Sequence, residues 1–140
     1  MNIFVTSPLA EYSAEFLRYD KKRRGKMILE SAQMLCSALS EYVEVPYKRC
    51  HYNHPCSVWV RSSRCNALWL VRYCEALERI RLEQGDNPHK SMQVINLLKD
   101  SIDYLPDEFL TPFANCTPYK EMEVHTAYKL TLLDKLLINL

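Results

Sequence analysis

Between Pro46 and Leu70 the chain reads PYKRCHYNHPCSVWVRSSRCNALWL, which gathers two histidines, three cysteines, both tryptophans and two asparagines beside Lys48, Arg49, Arg61 and Arg64. Thiolate and imidazole are the preferred ligands of zinc, so Cys50, His51, His54 and Cys56 raise metal chemistry first. Their spacing argues against it. There is no CxxC or HxxxH knuckle, Pro55 separates His54 from Cys56, and no second ligand pair follows at finger spacing. No metal is expected on that ground. The six cysteines, at 36, 50, 56, 65, 74 and 116, read as buried thiols of a reducing compartment. A cysteine nucleophile needs a paired base, and spacing singles out none. Phosphate-loop and dinucleotide fingerprints are missing from the sequence, so no cofactor is expected either.

A different set of residues suits a nucleotide or an extruded base. Arginine and lysine hold phosphates, histidine and asparagine hydrogen-bond bases or ribose, and tryptophan offers a stacking face. The candidates are Arg23 and Arg24 in the run DKKRRGK (residues 20–26), then His51, Asn53 and His54 in HYNHP, Arg61, and Asn66 with Trp69. Lys26, Glu30, Gln33 and Ser37 recur at spacings of four, three and four, which puts them on one polar helix face. A lysine and a glutamate four apart usually form a surface ion pair worth about 0.2–0.5 kcal/mol. Walled in by the basic run and the central stretch, Lys26 and Glu30 become an acid/base or charge-stabilising pair. The competing reading makes the tryptophans core and the charges solvated.

The elements that position these residues read as helices. A chain of 140 residues with 48% apolar residues and only two glycines disfavours hairpin-rich β folds and is long enough for one well-filled core. The expectation is an all-α fold, a single domain of five to six helices. Ser7-Pro8 reads as cap and first residue of a helix to about residue 19, carrying Leu9, Tyr12, Phe16 and Tyr19 at helical spacing. The basic run then reads as a connection, followed by a helix over 26–42 with Ile28, Ala32, Leu35, Leu39 and Tyr42 inward. A loop over 45–53 leads to a short helix capped by His54 and opened by Pro55. Ser62 or Ser63 caps the next helix, which Gly85 stops near residue 84. Asn87-Pro88 caps another, with Met92, Ile95, Leu98 and Ile102 inward. Pro106, Pro112 and Pro118 mark residues 104–120 as an irregular arm. The last helix, 121–138, places Leu130, Leu133, Leu137 and Leu140 where they serve a homo-oligomer interface as readily as the core.

Charge is uneven: residues 18–81 carry +7 and residues 82–140 carry −4, within a net +1. That pattern favours one anion-binding face, for DNA or a phosphorylated small molecule. With no apolar run of membrane-spanning length and no basic leader, no membrane partner is expected and a cytoplasmic protein is.

At KMILESAQML, HYNHP, VWVRSS, N-x-x-WL and LTPFA the sequence resembles small phage proteins described as pyrimidine-dimer DNA glycosylase-like, after the all-helical endonuclease V family. The resemblance spans residues 1–115, and its distinctive pieces lie between Lys26 and Leu70. It implies attack by the N-terminal α-amine on the sugar C1′, a Schiff-base intermediate, and a glutamate on an early helix that stabilises the cationic sugar. Glu30 best matches that glutamate, with Lys26 tuning it. Three departures stand out: Asn2 disfavours removal of Met1, KRRG replaces a histidine after Asp20-Lys21, and the chain diverges beyond Ala114. They favour an alternative in which the same pocket sequesters a nucleotide-like host signalling molecule without chemistry, in an anti-defence role. A protein-interaction module acting through the last helix is the third reading.

Overall fold

The computed structural model describes residues 2–138, with side chains to residue 136. Among them the regular structure is entirely helical. The elements are α1 (Ala10–Glu15), α2 (Lys21–Leu39), α3 (Pro55–Ser62), α4 (Arg64–Glu83), α5 (Ser91–Leu98), a 3-10 helix (Lys99–Tyr104) and α6 (Val124–Ile138). The long helices α2 and α4 form the centre. Helices α3, α4 and α5 pack on α2, while α1 lies along α4. No helix is long and apolar enough to cross a membrane among the described residues.

The basic run is helix rather than connection. Asp20 caps α2 by accepting the Arg23 amide at 3.1 Å, so helix begins at Lys21 and DKKRRGK supplies its first turns. Lysine and arginine are good helix formers, and the single glycine is not enough to interrupt them. The same helix ends at Leu39, and Tyr42 lies half-exposed beyond it, stacked on Tyr104.

Helix α1 is shorter than the periodicity predicts and turns the other face inward. Ala10, Ser13, Ala14 and Leu17 are buried, whereas Leu9, Tyr12, Phe16 and Tyr19 point outward, Tyr19 with 92% of its surface exposed. After Glu15 the backbone continues in i→i−3 turns, Leu17 to Ala14 and Arg18 to Glu15. Ser7 accepts the Leu9 amide at 3.1 Å ahead of the helix, whose cap residue is Leu9.

The other helix starts follow the sequence more closely. The His54 ring caps α3 by accepting the Cys56 amide at 3.1 Å, with Pro55 at the first position. Ser63 caps α4, and Gly85 at φ +83° follows its end. Asn87-Pro88 falls short of a cap: α5 begins at Ser91, whose amide is held by His89 Nδ1 at 3.1 Å. Met92, Ile95, Leu98 and Ile102 are buried as predicted.

Residues 105–123 run without helix, as the prolines require, and are tied to α3 and α4. The Pro106 carbonyl accepts the Arg64 amide, and the Thr111 carbonyl accepts the Trp59 indole N–H. Phe113 stacks on Trp59 and meets Trp69 edge-on, each with centroids 5.1 Å apart. The N-terminal segment Ile3–Val5 is buried under α6, where Tyr128 packs edge-on to Phe4 and His125 hydrogen-bonds the Val5 carbonyl at 2.9 Å.

Candidate functional site

Along α2, Lys22, Lys26 and Glu30 recur every four residues, with Arg23 and Met27 on the adjoining row. Together with Asp20, the N-terminal Asn2 and Phe4, and Lys135 from α6, they line a cavity of about 460 Å³. Phe4 and Met27, both buried, form its apolar floor. Four cations and two carboxylates form the polar part. Arg23 is engaged with Asp20 at 2.6 Å. Among the described residues, Lys22, Lys26 and Lys135 have no carboxylate within ion-pair distance. Four cations against two carboxylates leave the recess net positive, which attracts anions.

The floor is held by an unusual backbone. Phe4 sits at φ +45°, a region that non-glycine residues visit at a cost of order 1 kcal/mol. The Asn2 side-chain oxygen supports it, accepting the amides of Ile3 at 2.8 Å and Phe4 at 3.2 Å.

Of the candidates named from sequence, Arg23, Lys26 and Glu30 therefore share one cavity. Arg24 does not join them. It is 1% exposed on the opposite side of α2, with its guanidinium donating to the Arg18 carbonyl and pairing with Asp86 at 3.2 Å. Gln33 is half-buried further along α2 and lines no part of the cavity. Ser37, the last of that polar face, is buried and pins the central loop through both backbone groups of Cys50.

Asn66 and Trp69 belong to the core rather than to a pocket wall. The Asn66 amide donates to the Trp59 carbonyl at 2.7 Å and the Thr111 hydroxyl at 2.8 Å, and its oxygen accepts the Thr111 N–H at 3.0 Å. That leaves Asn66 committed to the arm. The Trp69 indole donates to the Pro8 carbonyl at 2.9 Å, and its ring stacks on Tyr73.

The HYNHP turn divides. His51 and Asn53 are exposed, with His51 at φ +49°. Arg61 lies over the Tyr52 ring at 3.8 Å, donates to the Tyr52 carbonyl, and faces Arg49 on the same ring at 4.2 Å. These residues make a separate basic and aromatic surface. His54 turns inward, where burial depresses its pKa below the ordinary histidine value; His51 and Lys120 add to this, and the Glu30 carboxylate opposes it. Glu30 is thus within electrostatic reach of His54 from the cavity side.

Beside His54 the structure assembles a group that linear spacing hides. Cys56 Sγ lies 3.4 Å from Cys116 Sγ, and one donor atom from each of His54, Cys56 and Cys116 falls within 4.8 Å of the others. The hydrogen bond from Cys56 pulls the Cys116 thiol down to about 6, helped by Tyr128 and the charge of Lys120. Cys56 moves the opposite way, because it keeps the shared proton and is buried.

A shallow apolar recess runs between the end of α1 and α6, lined by Phe16, Tyr19, Leu132, Leu133 and Leu136. Of the leucines expected at an oligomer interface, Leu133 is half-exposed and Leu130 is partly buried. The Leu137 side chain and Leu140 lie outside the described residues.

Lys22, Asn2 and Phe4 are cavity residues that pattern reading passed over. Lys22 was legible, being four residues before Lys26 once the basic run is helical. Lys135 carries no local signal, since its place depends on how α6 docks. The chain matches no protein-family model, no curated protein and no solved structure.

Proposed function

We propose that this protein binds a phosphorylated, nucleotide-like small molecule in the cavity along α2. The observation that carries the reading is the convergence of Lys22, Lys26 and Lys135 on a recess of about 460 Å³, a volume in the range of small-ligand sites. Phosphate oxygens take the ammonium groups, the base or ribose rests on Phe4 and Met27, and Glu30 accepts a sugar hydroxyl. A long duplex footprint is disfavoured by the net charge of +1, since duplex binding draws on many phosphate contacts.

The test is thermal unfolding against a panel of mononucleotides, cyclic nucleotides and ADP-ribose. A true ligand at 100 times its dissociation constant stabilises by about 2.7 kcal/mol. Lys26→Gln removes a charge-assisted hydrogen bond and weakens affinity by about 10- to 100-fold, as does Lys22→Gln. Unchanged midpoints across the whole panel reject the cavity as a nucleotide site.

A second reading rests on the position of Glu30 in that same cavity, beside Lys26. There a carboxylate would stabilise a cationic sugar during N-glycosidic cleavage, in the manner implied by the glycosylase resemblance. Incubation with damaged duplex DNA and with the nucleotide panel, followed by chromatography of released bases, examines it. Release that disappears in Glu30→Gln supports chemistry; ligand binding without release leaves the sequestering role; release that survives the substitution removes Glu30 from it.

A further inference from the structure

His54 stands at the start of α3, Cys56 occupies its second position, and Cys116 arrives from the arm 60 residues later. The two sulfurs are 3.4 Å apart, and the His54 ring nitrogen completes a triangle with no edge above 4.8 Å. We propose that His54, Cys56 and Cys116 form a three-ligand site for a zinc-class divalent ion, with the fourth position open to solvent or an incoming ligand.

The dimensions suit the ion. With metal–sulfur bonds of about 2.3 Å and a tetrahedral angle, two thiolates stand about 3.8 Å apart, and sulfur and imidazole nitrogen about 3.5 Å apart. The observed sulfur–sulfur edge of 3.4 Å is close to that value, and the imidazole edges are at most 4.8 Å. Two thiolates and a neutral imidazole also match a divalent charge, and borderline-soft donors select zinc over magnesium or calcium.

The surroundings hold the donors in place. The Tyr128 hydroxyl, itself buried, accepts the Cys116 amide at 3.2 Å and donates to the Ala114 carbonyl at 3.1 Å, which fixes the backbone carrying Cys116. The His54 Nδ1 accepts the Cys56 amide, so the neutral ring carries its proton on Nε2. Coordination through Nδ1 exchanges this helix cap for a metal bond. The balance is simple: each thiol that coordinates releases its proton to solvent, and no redox step is involved.

The site is independent of the cavity reading, and its test uses the metal alone. Under a phosphine reductant, the purified protein is titrated with Co(II) and then Zn(II). Expected are one Co(II) per chain, a thiolate-to-cobalt charge-transfer band in the near ultraviolet, tetrahedral bands in the visible, and bleaching by an equivalent of Zn(II). Cys116→Ser and His54→Ala weaken Co(II) binding by about 100-fold or more, since outer-shell changes alone cost about 10- to 100-fold. Cys50→Ser leaves it unchanged. Absence of the charge-transfer band, or a band undiminished in Cys116→Ser, overturns the proposal. Peptide-resolved alkylation of the unaltered protein guards against variants that misfold. Zinc should protect Cys56 and Cys116 while Cys50 and Cys65 react at their metal-free rates. Equal alkylation of the pair with and without zinc, or a Cys56–Cys116 disulfide that takes up no ion once reduced, overturns it as well.

Discussion

Asn66 on α4 and Thr111 in the arm hold one another through two hydrogen bonds, amide to hydroxyl at 2.8 Å and backbone N–H to side-chain oxygen at 3.0 Å. The motifs N-x-x-WL and LTPFA, far apart in sequence, are therefore one structural joint. Asn66→Ala strands the Thr111 amide and the Trp59 carbonyl, groups whose loss of partners costs about 1–3 kcal/mol each. A destabilisation of about 2–4 kcal/mol is expected in urea unfolding. A loss below that range means the arm holds without the joint.

Arg24, buried, and Asp86, partly exposed, form the other tether. Removing one partner of a buried pair leaves an uncompensated charge, whereas removing both does not. Asp86→Ala should accordingly lower the unfolding midpoint more than Asp86→Ala combined with Arg24→Met. Hydrogen bonding from Lys21 holds the Asp86 carboxyl below the ordinary carboxylate value, with Arg81 and Arg24 adding their charge. The native state thus favours the ionised form. Its contribution is complete above the unfolded value near pH ~4 and is lost as pH falls through the lower native one. Unfolding midpoints followed into acid should decline less steeply in Asp86→Asn than in the parent protein.

The two glycines predict opposite outcomes. Gly25 lies inside α2, where an added Cβ would meet the Arg81 guanidinium at 3.5 Å and the His89 ring at 3.8 Å, both ordinary contacts. Gly25→Ala should stabilise by about 0.5–1 kcal/mol through helix propensity and a less flexible unfolded chain. Gly85, at φ +83°, ends α4 in a left-handed conformation with open space around it. Gly85→Ala should destabilise by about 1 kcal/mol for backbone reasons alone. Thermal unfolding of both variants separates the two effects, and stabilisation by Gly85→Ala would refute the second.

Cys116 should betray its environment by reactivity. In metal-free protein its alkylation rate is expected to rise with a midpoint near pH 6, because the Cys56 hydrogen bond favours the thiolate. An unperturbed thiol would turn near pH ~8.5. Peptide mapping after timed iodoacetamide quenching measures the profile, and replacing Cys56 by serine should move the midpoint towards that ordinary value.

Several features of the fold were legible locally because their causes are local. His54-Pro55, Ser63 and Gly85 announce helix ends through hydrogen-bonding groups and backbone freedom within a few residues. Met92, Ile95 and Leu98 announce a buried face by period. Where two faces of one helix are both apolar, period cannot choose. On α1 the small residues Ala10, Ser13 and Ala14 face α4 because they permit close approach, and the aromatic stripe is left outside. The basic run is helix for a reason that lies partly outside it: the Asp20 cap is local, but the Arg24–Asp86 pair joins residues 62 positions apart.

The sequence alone determined that the chain is helical, where its prolines forbid helix, and that Lys26 and Glu30 share one face of a helix; that Arg23 joins them on α2 came with the structure. The sequence-determined properties follow from propensity, capping and the 3.6-residue repeat, which act over a turn or two. Only the tertiary structure decided that Lys135 and Phe4 complete the cavity, that Asn66 and Trp69 serve the core, and that Cys116 meets Cys56 and His54. Such neighbours are set by how α6 and the arm close over α2 and α4, and burial, shared protons and clustered charge arise only there.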